Sequence, residues 1–432
     1  MTAPTRRRLL LGGLASAGLG LSGCSIADDG SSGGGGEDAD AVTVRIWDDT
    51  VQPAYRQSLD AFQEANPGTR VDVELVPWAS YWDKLPADVA GGTLPDVLWV
   101  NSSNFGVYVD AGTFVDVGEA IPEGPAGWQA SVVEQFTRDG RLWGVPQLSD
   151  AIGLFVNTDL TGAAGVDPSD LVWNPTGAGD TLLPAARALT RTDGERPQYG
   201  YNAALDLQAI YYDFVGSNGG RWQAEDDTYV FGDDPRSVEA FQYLVDMVNR
   251  EKVAPSAADT NDNGDFSRDR FTQGQMALFQ SGTYNLKNVA DAAQFGWRVV
   301  PAPSGPAGRV LVTNGIVAVA NAKSPRRDAA VEVLRWLGSE RGAAPLGATG
   351  AAFPAVTAAQ RSYLDFWAGE GVDVQPFLDA AAGPTIGAPS GPKAQTGQQA
   401  AQPILQEVFA GRVPVAEGMK QAQDAANAAI RD

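Results

Sequence analysis

The chain has 432 residues, 31 Lys+Arg against 53 Asp+Glu, a net charge of −22, no histidine and one cysteine. So acidic a protein is repelled by phosphate backbones and gains nothing from anionic head groups, which argues against nucleic acid as a partner and leaves membrane contact to a lipid alone. Without histidine there is no Ser-His-Asp triad and no imidazole zinc site, and without a second cysteine no intrachain disulfide, so stability must come from core burial.

Arg6, Arg7 and Arg8 lead into an apolar, charge-free run from Leu9 to Leu21, too short to cross a bilayer. Residues 1–23 are therefore expected to be an export signal. The run ends at Leu21-Ser22-Gly23-Cys24, which resembles the lipobox of bacterial lipoproteins; the resemblance implies that Cys24 is acylated and serves as an anchor, not a nucleophile. Thr5 to Leu10 also looks like a twin-arginine signal without its usual phenylalanine, so both export routes stay open. Residues 24–41 are acidic, rich in Gly and Ser and almost free of apolar side chains, which predicts a flexible tether reaching about 22 Å.

Beyond the tether, strand-like alternation over residues 42–46, 71–76 and 96–100 is interleaved with helical spacing over 55–65 and 81–90. This predicts an α/β lobe with a mostly parallel sheet, whose ligand contacts come from loops at the carboxyl ends of strands. Trp47-Asp48-Asp49 and Asn101-Ser102-Ser103 stand at such ends. Arg138-Asp139-Gly140-Arg141 reads as a hairpin turn. Further strands are predicted at 152–156, 276–279, 297–300 and 315–320, and helices at 207–215, 235–250, 268–273, 326–337, 404–410 and 414–430.

Several segments, in one order, resemble the family 1 extracellular solute-binding proteins of bacterial ABC importers, which bind carbohydrates. They are Val44-Arg45-Ile46-Trp47, Phe62 to Gly68, Val76 to Leu85, Ala90 to Val97, Gly140 to Pro146, Phe155 to Leu160, Phe271 to Ala277, Ser281 to Tyr284 and Lys323-Ser324-Pro325. The resemblance implies a type II periplasmic-binding-protein-like α/β fold of two lobes, 42–148 plus 314–340 and 152–309 plus 345–432. The chain would cross the hinge near 147–151, 309–315 and 338–345. Such proteins close on their ligand by hinge bending and present the closed form to the importer's permease and ATPase. The expected protein is a monomeric, lipid-anchored, extracytoplasmic sugar receptor that needs no cofactor and is not an enzyme.

A sugar offers an apolar face and a rim of hydroxyls, so its site needs aromatic surfaces beside carboxylates and amides. The resemblance points to Asp150 as a hydroxyl-binding carboxylate at the hinge, and to Tyr284 where the family commonly has a stacking tryptophan. Asp49, Asn101, Ser102 and Asn314 offer polar groups at strand ends, and Trp78 at a helix start is the aromatic candidate of the first lobe. Tyr212, Trp222 and Phe353 are the aromatic candidates of the second, Trp222 being either a platform or a cap over the lobe. Where some relatives carry an acid and a base after the third strand, this chain has Ser102 and Ser103.

Asp259 to Ser267 matches the first nine positions of an EF-hand loop, but Arg270 stands where the bidentate glutamate is needed. The alternative is an acidic loop with Asp265 capping the next helix, and no metal is assigned. Two other functions stay open: a surface-attached carbohydrate-active enzyme working through a carboxylate pair, or a receptor for a solute other than a sugar.

Overall fold

Alternating apolar residues make Val42–Ile46 a strand, and 14-residue amphipathic helices, Gln52–Ala65 and Trp78–Gly91, return the chain to parallel partners at Val71–Leu75 and Val97–Asn101. The computed structural model describes residues 41–431 apart from 110, 111, 195, 225, 390 and 392. The export signal, Cys24 and the tether up to residue 40 lie outside the described residues. Five strands form the first sheet in the order Val71–Leu75, Val42–Ile46, Val97–Asn101, Asn314–Ala320, Val145–Asp150. Asn314–Ala320 runs antiparallel to both its neighbours, so the other four strands point the same way. The three strands Val97–Asn101, Asn314–Ala320 and Val145–Asp150 are buried throughout, as expected of a sheet covered on both faces.

The second sheet has the order Trp297–Val300, Ile152–Asn157, Met276–Gly282, Tyr199–Tyr201, with a single parallel pair, Tyr199–Tyr201 beside Met276–Gly282. Each sheet carries its own hydrophobic core. The helices Ala394–Phe409 and Val415–Arg431 form a hairpin that adds Leu405, Val408, Met419 and Ala422 to the second core. No helix among the described residues is long and apolar enough to cross a membrane.

Only Ala151 separates the strand that ends in the first sheet at Asp150 from the one that opens the second at Ile152, and only Thr313 separates Leu311–Val312 from Asn314–Ala320. The third passage falls later than residues 338–345. Helix Glu340–Ala348 lies on Gln52–Ala65, with Ser58 Oγ donating to the Gly342 carbonyl at 2.7 Å. Leu346, Ala352, Val356 and Ala359 belong to the first core, while Phe353, Tyr363 and Trp367 belong to the second. Gly342, Pro345 and Gly347 read as helix breakers in the sequence, yet a Cβ at Gly342 would sit 2.0 Å from the Trp336 carbonyl oxygen, so the close approach requires glycine.

The Asp-Gly turn joins Thr137–Arg138 to Arg141–Leu142, with positive φ at both Asp139 (52°) and Gly140 (73°), the type I′ signature. The calcium-loop pattern is not a loop: residues Ala257–Asp262 are helical and a second helix begins at Phe266. A helical backbone cannot wrap those carboxylates around one ion, and no metal-ligating cluster occurs among the described residues. Asp265 makes no side-chain cap and pairs instead with Arg268 at 3.0 Å.

Candidate functional site

The strand directions bring chemistry to one edge of each sheet. In the first, Asp48 follows Val42–Ile46, Ser102 follows Val97–Asn101, Asp150 ends its strand, and the antiparallel strand starts at Asn314. Asn314 is paired in register with Asp150 and accepts from Ser102 Oγ at 2.6 Å. In the second, Thr283 and Tyr284 follow Met276–Gly282, and Asp206 lies five residues beyond Tyr201. Gly282 is registered against Ile152 at the start of the second sheet, so the two edges meet where the chain crosses.

Asp150 is 8% exposed and accepts from Thr283 Oγ1 at 2.9 Å. Burial, opposed by that hydrogen bond and reinforced by the negative charge of Asp48, pushes its carboxyl up to about 7. Asp48 accepts from Thr50 through the backbone N–H (2.9 Å) and the hydroxyl (2.7 Å). Burial raises its pKa against those two bonds, with a smaller push from Asp49. Asp206 takes the backbone N–H groups of Gln208 and Ala209, both at 2.9 Å, at the start of the π-turn Leu207–Tyr211, and burial again raises its pKa. The hydroxyl of Tyr284 is pushed up by burial and then by the charge of Asp206, with Asp150 adding a smaller share. Tyr363, 1% exposed, is likewise pushed up by burial and then by the charge of Asp150, against a hydrogen bond with Trp367.

Aromatic surface stands beside Asp48. Trp47 packs edge-on to Trp78 at 5.4 Å and to Tyr81 and Trp99 at 5.0 Å, and Trp78 remains 46% exposed. Across from this wall the 394–409 helix turns Gln395, Gln398, Gln399 and Gln402 toward Trp82 and Asn104, and together they line an open cavity of about 260 Å³. Trp82 Nε1 and Gln398 Nε2 are buried donors without partners there. The two sides also touch as backbone: a Cβ at Gly106 would lie 2.8 Å from the Gly391 carbonyl oxygen.

Of the residues expected from the sequence, Ser102, Asp150, Tyr284 and Asn314 meet at this junction and Trp78 lies at its rim. The other five are placed differently. Asp49 is exposed in the turn, and its neighbour Asp48 is the half-buried carboxylate. Asn101 is 1% exposed and spends its oxygen on Asn104, accepting from the backbone N–H (3.1 Å) and Nδ2 (2.8 Å) at the start of helix Ser102–Val109. Tyr212 (0% exposed) and Trp222 (4%) are core residues, and Trp222 stacks on Phe231 at 4.0 Å. Phe353 packs edge-on against Tyr363 at 5.4 Å inside the second core, and its carbonyl accepts from Ser149 N. Sequence reasoning missed Asp206, Tyr363 and the glutamine row. The row was visible as Gln at spacings of three, four and seven on one helix face.

Residues 48–344 match the family model described as bacterial extracellular solute-binding protein. The crystal structure of UspC from M. tuberculosis is 48% identical, covering 90% of this chain and all of that one at a TM-score of 0.73. The substrate-binding protein Lmo0181 of Listeria monocytogenes, solved with cycloalternan, shares the fold at 21% identity and a TM-score of 0.81, covering 91% of this chain and all of that one. The maltodextrin-binding protein MdxE of Bacillus subtilis is 23% identical over 306 residues, 67% of this chain and 66% of that one. The family match spans more than half of the chain and the similarity to UspC nearly all of it, and this chain belongs to the bacterial extracellular solute-binding protein family, whose members bind solutes and are not enzymes.

Proposed function

We propose that this protein captures a sugar or oligosaccharide between its two sheets and delivers it to an ABC permease. The observation that carries the reading is the junction itself, where acceptors from both cores face the same space beside an aromatic wall. Carboxylates accept from sugar hydroxyls, Ser102 and Asn314 add hydroxyl and amide groups, and Trp47, Trp78 and Tyr284 offer flat faces to C–H surfaces. The glutamine-lined cavity, at Trp82 of the aromatic wall, has Trp82 Nε1–H and Gln398 Nε2–H free to donate to a sugar unit. The relatives solved with cycloalternan and named for maltodextrin support the ligand class.

The lobes in this reading are 41–150 plus 314–352 and 152–312 plus 364–431, hinging about Ala151, Thr313 and the segment 353–363, whose residues divide between the two cores. Cys24, outside the described residues, would carry the lipid that keeps a monomeric receptor at the outer face of the cell membrane, close to its permease. A thermal-shift screen of the purified protein against mono- and oligosaccharides, polyols and calcium tests the reading. A ligand at about 100 times its Kd adds about 2.7 kcal/mol. A shift confined to one sugar series, with the sugar recovered unchanged, is expected; cleavage of an added oligosaccharide, or no shift with any sugar, would refute it.

A further inference from the structure

At the crossings three segments of chain lie side by side, the first in the middle. Ser149 and Asp150 of the first crossing pair in register with Gly315 and Asn314, just after the second. On its other edge the first crossing meets the third. Ser149 N donates to the Phe353 carbonyl at 3.2 Å and Ala355 N to the Gln147 carbonyl at 2.9 Å, with Leu148 opposite Pro354. A short helix, Ala130–Gln135, is fixed to the first core by Val132 and the following Phe136, 1% and 0% exposed. The glutamines at its two ends reach all three segments. Gln129, just before the helix, donates through its backbone N to the Ala355 carbonyl (2.8 Å) and through Nε2 to Ser149 Oγ (2.9 Å), and its Oε1 accepts from Gln360 Nε2 (3.1 Å). Gln135, at the far end, accepts from Gly315 N at 2.8 Å and reaches Thr313 Oγ1 at 3.4 Å.

The arrangement serves the crossings rather than the helix. Gln is a poor N-cap, and Gln129 makes no cap bond to the helix it precedes. Gly315 permits the close approach on the other side, because a Cβ there would stand 2.8 Å from Val132 Cγ1 and 3.0 Å from Gln135 Oε1. Substitute partners are also within reach. Gln129 Nε2 has Ser131 Oγ at 3.2 Å on its own helix, and Gln360 Nε2 has the Pro354 carbonyl at 3.1 Å. A side-chain amide carries both donors and an acceptor, so a small rotation of the crossings can exchange partners without leaving a half-buried polar group unpaired.

We propose that helix Ala130–Gln135 is a hinge brace, in which Gln129 and Gln135 are positioning residues that tie the three crossings into one unit and make them bend together when the lobes close. This rests on the two-lobed hinge reading above and is independent of which solute is bound. Three separately mobile crossings would allow the lobes to twist and slide as well as close, whereas crossings gripped by one helix leave a single hinge motion.

Amide hydrogen exchange of the ligand-free protein, resolved by residue with NMR, tests the coupling. The informative variant is Gln135→Leu, because among the described residues the Gln135 side chain is bonded to the second crossing alone. Gly315 N loses its acceptor there and must exchange faster whatever the role of the helix. The brace requires that Ser149 N and Ala355 N, neither of them bonded to Gln135, also exchange about 5-fold faster, while Val44 and Phe279 in the strand centres do not change. Gln129→Leu, made in parallel in case the first variant fails to fold, should in return speed Gly315 N by a similar factor. Gln135→Glu keeps an acceptor for Gly315 N and should restore slow exchange at Ser149 and Ala355. Ser58→Ala removes a bond to the Gly342 carbonyl elsewhere in the first core and should leave all three amides as they were. Acceleration that stays within the crossings a variant's own glutamine touches, or that Ser58→Ala reproduces, overturns the brace and leaves the sugar reading standing, since no ligand is present. Failure of every sugar in the thermal-shift screen would instead remove the sugar reading and leave this coupling as measured.

Discussion

Replacing Asp150 by Asn should stabilise the ligand-free protein at neutral and alkaline pH. The carboxyl is held at about 7 in the fold against 3.8 as its ordinary value, because burial and the charge of Asp48 outweigh the bond from Thr283. Between those two pH values the folded state binds more protons than the unfolded one, so stability falls as pH rises through the window from about 4 to about 7 and levels off above it. At about 1.4 kcal/mol per unit the loss over that window is on the order of 4 kcal/mol. Asn keeps the shape, still accepts from Thr283 Oγ1 and has no charge to desolvate. Thermal and urea melts of both proteins from pH 4.5 to pH 8.5, without ligand, should therefore diverge with pH: nearly equal at the acid end, the variant more stable by a few kcal/mol at the alkaline end. A gap that is independent of pH, or a variant less stable than the parent at pH 8, would show that Asp150 is not a desolvated carboxylate and would remove the electrostatic argument for the site.

Three further substitutions separate site from scaffold. Trp222→Ala opens the second core at a ring stacked on Phe231 and should cost about 3–5 kcal/mol in a urea melt, whereas Trp78→Ala, at a ring 46% exposed, should leave the melt almost unchanged while weakening sugar binding in a titration. Asp96→Ala strips the acceptor shared by Thr43 N, Ser324 Oγ and Arg326 Nε and should cost about 1–3 kcal/mol by taking that acceptor from the Thr43 and Ser324 donors; circular-dichroism melts read it directly. Gly106→Val places side-chain carbon where the Gly391 carbonyl already stands 2.8 Å away, so the sides should be held apart, seen as a larger radius of gyration in solution scattering and weaker ligand binding with an unchanged fold.

The sheets were legible because their residues obey simple periods. Val42–Ile46, Trp297–Val300 and the Asp-Gly hairpin fall where the sequence alone puts them. Helices without an apolar stripe were not. Ser102–Val109 contains Gly106 and four β-branched or aromatic residues, and Glu340–Ala348 contains two glycines and a proline. The Ala394–Phe409 helix buries Ala394, Gly397 and Ala401, so only its apolar end, from Ile404 onward, carries the helical signal. Small residues signal close packing rather than hydrophobic periodicity, and a window count of apolar side chains passes over them. The third crossing was misplaced for the same reason, since the Gly- and Ala-rich 340–348 segment reads as a linker and folds as a packed helix.

The site was half legible because strand ends can be located from sequence while the direction of a side chain cannot. Asp48 and Asp49 are neighbours in one turn, and it is Thr50, closing on the Asp48 carboxylate with two hydrogen bonds, that turns Asp48 rather than Asp49 inward. Asp206 looks like an ordinary helix cap, which it is, and becomes a candidate only because Tyr201 ends its strand on the edge that also carries Tyr284. The distribution of these groups has a mechanical consequence. Asp48 and Ser102 stand on the first sheet, Asp206, Tyr284 and Tyr363 on the second sheet and its core, and Asp150 sits on the crossing itself, so the proposed hinge closure would carry the two sets together. A ligand that satisfies both sets gains its full binding energy only when the two cores are together, so the differential affinity that shifts the population toward the closed form is built from the contacts that recognise the ligand. Recognition and closure are then one event, and a solute too small to reach from Asp48 to Tyr284 should bind weakly and leave the protein open.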